Sequence, residues 1–296
     1  MRDVLLPLMT SRYPTVRQQY PNEGRRKWHL RVMEEFWSSN PPPPLPTSVS
    51  VEDEAVISPF KQDSDPFDQL LEDVVGGVLI RTDYDDENAW QAFSAKLKEA
   101  EAELSGPPPD AEPEASSLKS SDNVDVDMDK GQNAEGDGDD DESDDSDSDG
   151  TEGNLIKVIN PTVSEEHTIF RNISNLRALR LFNDVDIRPA PPVPSGSKRV
   201  SPQNRLVDQA GWQEIYSGVT VWIYDKQSNV DGSVRLVGSE GDIYGTATGD
   251  SWRAQVSHIY DLQFNMTFSG MKINFGGMDR WDYSERKRNM EEAEQL

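Results

Sequence analysis

The chain has 296 residues, 34% of them apolar, a mean hydropathy of −0.75 and a net charge of −26. It contains no cysteine, which excludes disulfides, thiolate metal sites and cysteine nucleophiles. So acidic a surface repels nucleic-acid phosphate, so no nucleic-acid partner is expected and basic proteins are the natural long-range partners.

No apolar stretch approaches the ~18 residues that cross a bilayer, so no membrane partner is expected either. Residues 1–31 carry seven Lys/Arg against two acids. An amphipathic mitochondrial leader there is opposed by Pro14 and Pro21, which leaves cytoplasm or nucleus as the expected location. The low apolar content predicts a single folded domain with roughly 100 to 130 residues outside it.

In chain order, Leu30, Met33, Phe36 and Trp37 form one apolar stripe and predict a helix over about Asn22–Trp37. The run Asn40 to Pro46, five of its seven residues proline, stops it and reads as a stiff linker. Asp65-Pro66 is a cap-and-first-turn signal for a helix carrying Phe67, Leu70, Leu71 and Val74, ended by Gly76-Gly77. Val78 to Arg81 reads as a buried strand. Asp83 to Asp86 can cap a helix to Leu104, in which Trp90, Phe93, Leu97, Ala100 and Leu104 recur at helical spacing.

Residues 101–155 then hold 20 Asp and Glu against two Lys, a balance of −18. Such a stretch has no core to form and predicts a disordered acidic insertion. Leu155 to Ile159 predicts a strand, and Ser164 caps a helix through Leu181 with Ile169, Ile173 and Leu176 inward. Phe182 to Ile187 reads as extended, Pro189 to Pro202 as a loop, and Val207 to Tyr216 as a short helix with Trp212. Val219 to Tyr224 is the strongest strand signal. A turn at Asn229–Gly232 precedes a predicted hairpin of Ser233–Val237 with Asp242–Thr248 around Gly238-Ser239-Glu240-Gly241. A helix over Trp252–Asn265, a strand over Met271–Phe275 and a charged, fraying C-terminal helix complete the expected elements.

The resulting fold class is α/β or α+β, one mixed sheet flanked by helices and split by the acidic insertion. The expected parts are an N-terminal arm (1–64), a split domain (65–104 plus 154–276), the insertion (105–153) and a charged tail (277–296).

Three expected strands run into acid, at Asp83, Asp184 and Asp225. If they converged beyond the carboxyl ends of parallel strands they could hold a divalent metal for hydrolysis. The competing account is that each caps the next turn or helix. His29, His167 and His258 lack partners at metal-ligand spacing. Asp125-Val126-Asp127-Met128-Asp129 and Gln227 to Gly232 both miss the calcium-loop pattern. Gly245 to Gly249 lacks the lysine of a phosphate-binding loop, so no cofactor is expected. Ser146, with acid at Asp149, fits acid-directed phosphorylation. Lys198-Arg199 and Arg286-Lys287-Arg288 are short basic clusters of the kind read by nuclear import, or simply solvated charge.

Leu79-Ile80-Arg81-Thr82-Asp83-Tyr84, followed by acids and Trp90, resembles the opening of an uncharacterised family of unknown function common in actinobacteria. Asn265-Met266 and Met271 to Phe275 resemble that family's end, and Val219 to Asp225 resembles its central strand. The likeness covers about residues 77–104 and 155–276, and the arm and insertion make the chain look like an expanded, fungal-type member. The resemblance implies the split domain and supplies no catalytic residues.

The sequence therefore predicts a non-enzymatic protein-interaction module whose acidic insertion modulates contacts with basic partners. The alternative is a metal-dependent hydrolase using Asp83, Asp184 and Asp225. Oligomeric state is not legible in the chain.

Overall fold

β-branched and aromatic runs on both sides of the insertion meet in one sheet. A computed structural model of the chain describes residues 5–39, 60, 62–106, 153–192, 203–273 and 282–295. Two helices lead, α1 (Leu5–Gln19) and α2 (Arg25–Ser38), followed by β1 (Val74–Arg81) and α3 (Glu87–Ser105). After the insertion come β2 (Asn154–Ile159), α4 (Ser164–Phe170), α5 (Asn175–Phe182), β3 (Asn183–Pro189) and β4 (Trp212–Gly218). The remainder is β5 (Thr220–Tyr224), the single turn α6 (Ser228–Asp231), β6 (Ser233–Val237), β7 (Ser251–Gln255), α7 (Ile259–Phe268) and α8 (Tyr283–Ala293).

The main sheet has the order β2-β1-β5-β6-β7. β1 is parallel to both β2 and β5, with Leu79 level with Val158 on one side and Trp222 on the other. β5 to β7 continue antiparallel. β1 precedes the insertion and both its neighbours follow it, so neither half has a complete sheet alone. α3 has 19 residues, about 28 Å at 1.5 Å per residue, close to the ~26 Å of the eight-residue β1. It therefore returns the chain to the end of the sheet at which β2 begins.

Successive residues of β1 point to opposite faces. Val78 and Ile80 join a core with Leu176 and Leu179 of α5, Met33 and Phe36 of α2, Leu5 and Met9 of α1, and Trp212 of β4. Leu79 joins a second core with Trp90, Phe93 and Leu97 of α3, Trp222, and Ile259 and Tyr260 of α7. β3 and β4 form a separate antiparallel pair on which α2 packs. Burial of a Leu79- or Ile80-sized side chain contributes about 1.5–3 kcal/mol.

Several expectations need correction. Residues 1–64 are not an arm with one helix, because α1 and α2 bury Leu5, Met9, Tyr13, Trp28, Met33 and Phe36 in the main core. α1 passes through Pro14, its lost hydrogen bond offset by that packing. Asp65-Pro66 leads only to a 3₁₀ turn at Asp68–Leu71. Gly76-Gly77 lies inside β1 rather than ending a helix. A Cβ on Gly77 would lie 2.7 Å from Gln263 Oε1, so the glycine lets α7 approach the strand.

The helix expected from Ser164 to Leu181 breaks at Arg171–Ser174. Ser174 caps the new helix by accepting from Arg177 N, and Ile169, expected inward, is half exposed. The helix expected over Val207–Tyr216 is instead a loop and strand β4, because Gln213 and Glu214 are buried beside Trp212 and hide the alternation. β6 pairs with β7 rather than with Asp242–Thr248, and Trp252 belongs to β7 rather than to a helix. Met271–Ile273 forms no strand, and the rest of that expected strand lies outside the described residues. So do Asn40 to Pro46, Asp125 to Asp129, Ser146 and Lys198-Arg199. The C-terminal segment is not a fraying tail. Glu285 Oε1 of α8 accepts from Asn175 N at 2.7 Å and Asn289 Oδ1 from Leu176 N at 3.1 Å, both at the amino end of α5.

Candidate functional site

The carboxyl ends of β1 and β5 mark the place where strand order reverses, β2 lying to one side of β1 and β5 to the other. In open α/β sheets ligands bind beyond such ends. Here the described residues at those ends are engaged with the chain itself. Thr82 donates from N and Oγ1 to Tyr224 O, both at 2.8 Å, and its carbonyl accepts from Asn172 N at 3.0 Å. Arg81 is buried, ion-paired with Glu87 at 2.8 Å, and its guanidinium lies 4.8 Å from the Trp90 ring centre and 5.1 Å from that of Tyr84. Tyr84 donates to Arg81 O and stacks on His167 at 3.9 Å. Burial pushes the Tyr84 phenol up to about 12, the positive Arg81 and Arg171 working the other way.

Asp83 and Asp225 both stand at this end. Asp83 Oδ1 accepts from Asn229 Nδ2 at 2.8 Å and from Asp85 N at 3.2 Å. Asn229 in turn accepts from the Tyr224 hydroxyl at 2.6 Å. Asp225 Oδ1 accepts from the backbone N of Gln227 and Ser228 and from Ser228 Oγ, all at 3.1 Å. It is also gripped by Arg253 at 2.5 Å and Arg235 at 3.1 Å. Both carboxylates thus serve turns and cations of the fold.

Asp184 is elsewhere, in β3 of the separate strand pair. Both its oxygens accept from Arg25 Nη1 at 2.6 Å, and His29 Nδ1 lies 3.6 Å away. Burial disfavours its charge, but the neighbouring imidazole with Arg25 and Arg26 more than reverses that and holds the carboxyl down at about 2. The three aspartates do not form one cluster. Among the described residues no group of three or more His, Asp or Glu is placed to hold a metal ion.

A concavity lies on the α2/α5 flank, a groove of about 730 Å³ between α2, α4, α5 and α8. Arg26, Lys27, Arg31, Arg171, Arg177 and Arg180 face it, against Glu23, Asp65 and Glu292. The acids are already matched: Glu23 with Arg31 at 2.6 Å, Asp65 with Arg26 at 2.7 Å, and Glu292 with Arg288 at 3.1 Å. Lys27 and Arg177, both exposed, have no ion-pair partner among the described residues.

No protein-family model matches the chain, and no curated protein or solved structure matches it either. What the site can do therefore rests on its own geometry.

Sequence reasoning singled out strand-end carboxylates and missed the groove. Its cations are scattered over residues 26 to 180, and nothing local marks them as neighbours. Of the basic cluster at 286–288, Arg286 reaches Asp250 at 2.8 Å and Arg288 donates to Asn172 O at 2.8 Å, so both fasten α8 to the body. Burial raises the Asp250 carboxyl to about 6, against the opposing pull of Arg286.

Proposed function

We propose that this protein is a non-enzymatic protein-interaction module, acting in the cytoplasm or nucleus, whose acidic insertion engages basic partner proteins. The observation that carries this reading is the internal commitment of Arg81, Thr82, Asp83 and Asp225, which ties the described residues at the usual site of chemistry into structural contacts. No described helix is long and apolar enough to cross a membrane. Residues 107–152 carry 18 acids against two lysines, the densest charge in the chain. Charge of this kind steers association and makes it sensitive to salt. We also place the chain, from its Ile80-Arg81-Thr82-Asp83-Tyr84 motif, as an expanded member of the family of unknown function it resembles.

The test is titration of the full chain, and of a variant lacking 107–152, with a lysine-rich peptide at low and moderate salt. Binding should fall steeply with salt and drop at least tenfold in the variant. Equal binding by both proteins overturns the reading. So does saturable Mg²⁺ binding by calorimetry that disappears in Asp83→Asn.

A further inference from the structure

The lining of the groove on the α2/α5 flank is richer in cations than in acids, although Arg171 is ion-paired with Asp85 and Arg180 with Glu214 outside it. In a chain of net charge −26, it gathers six cationic side chains against three acids. Each of the three acids is held by an arginine, so none opposes an incoming anion with free charge. Lys27 stands on the α2 wall and Arg177 on the α5 wall, both exposed and without ion pairs among the described residues. Neither is within ion-pair distance of a described acid, and Lys27 acts on Glu23 only from further away.

The groove is not purely polar. Phe67 and Leu181 line it partly buried, and Ile169 on α4 is 47% exposed at its edge. An exposed isoleucine beside unpaired cations suits a ligand with an apolar anchor between negative groups. A volume of about 730 Å³ holds a few residues of an extended peptide rather than a folded surface. Clusters of arginine and lysine recognise acidic segments in this way, the cations setting specificity and the apolar contact adding affinity.

We propose that this groove is a docking site for a short acidic segment of a partner protein, one that carries an aliphatic side chain among its carboxylates. The acids approach Lys27 and Arg177 from the two walls, and the aliphatic residue lies against Ile169 and Leu181. Arg31 is fixed by Glu23 and packed on the Tyr20 ring at 3.5 Å, which gives the α2 wall a rigid cationic edge. The described lining of the groove includes no residue of the insertion, and the groove would select partners of opposite charge to those the insertion attracts.

Fluorescence anisotropy of a labelled peptide, with a central leucine flanked by aspartates and glutamates, tests this on the full chain. Saturable binding is expected, about tenfold weaker in Lys27→Glu/Arg177→Glu and unchanged in Lys96→Glu/Lys98→Glu on the opposite side of the sheet. Replacing the peptide's leucine by serine should weaken binding several-fold. If the charge-reversed protein does not fold, Lys27→Ala/Arg177→Ala should still show a clear loss. Three results overturn the proposal: affinity within twofold in the groove variants, equal loss in both charge-reversed proteins, or binding seen only after residues 107–152 are removed. The last would assign the groove to the chain's own acidic insertion.

Discussion

The two faces of the central sheet are built by different means. On the α3/α7 face, Leu79, Trp90, Phe93, Leu97, Trp222 and Tyr260 pack as an apolar layer drawn from β1, α3, β5 and α7. The opposite face collects α1, α2, α5, the β3/β4 pair and α8, and is laced with buried charge. Arg25 meets Asp184, Arg26 meets Asp65, and Arg205 meets both Glu34 and Glu214. Glu214 is buried and also receives the Trp37 indole at 3.1 Å and the Tyr216 hydroxyl at 2.6 Å. Such pairs are costly to desolvate and add little net stability, but each fails badly when one partner is removed. One face is thus fastened by area, and the other by matched charges that fix which segments dock where.

That contrast can be broken most sharply at Glu214. Glu214→Gln keeps the volume but takes the buried counter-charge from Arg180 and leaves Arg205 with Glu34 alone, and should cost about 3 kcal/mol in urea unfolding. A loss below 1 kcal/mol would mean the arginines find other partners. On the apolar face, Trp90→Ala removes a ring in edge contact with Tyr224 at 4.8 Å and should cost about 3 kcal/mol, with no change in pH dependence.

Asp184 sharpens the comparison through pH. Its folded carboxyl is depressed to about 2, so its contribution is present above the unfolded value near 4 and is lost as pH falls from there to 2. Asp184→Asn should lower stability at neutral pH by about 2 kcal/mol and flatten that acid limb. Asp250 has the opposite sign. Raised to about 6, it binds its proton more tightly when folded, so its ionisation removes stability as pH rises from 4 through 6. Asp250→Asn should abolish that slope. The smallest effect belongs to Asp86, whose side chain caps α3 by accepting from Ala89 N at 2.9 Å. Asp86→Ala should cost about 1 kcal/mol.

The same contrast decides what was legible in the sequence. α3 announces itself because Trp90, Phe93, Leu97 and Ala100 bury one stripe with an acidic cap before it. β1 and β5 are evident from their apolar runs. The charge-laced face hides because its buried positions are polar: Gln213 and Glu214 in β4, Arg25, Arg26 and His29 in α2, Asn289 in α8. Hydropathy reads these as surface, so β4 looks helical, and α1 and the docked α8 pass for arm and tail. The candidate carboxylates are legible as strand ends, but their partners Arg25, Arg253 and Asn229 come from other elements and only the fold reveals them. The groove has no sequence signature, since its walls meet only when α2 packs on α5.

The central claim is that segments on both sides of the insertion form one cooperative body to which residues 107–152 are structurally dispensable. Thermal unfolding of a variant joining Gly106 to Gly153 by a short flexible linker tests it directly. The account predicts a single transition within a few degrees of the full chain. Loss of the cooperative transition, or two separate ones, would contradict it.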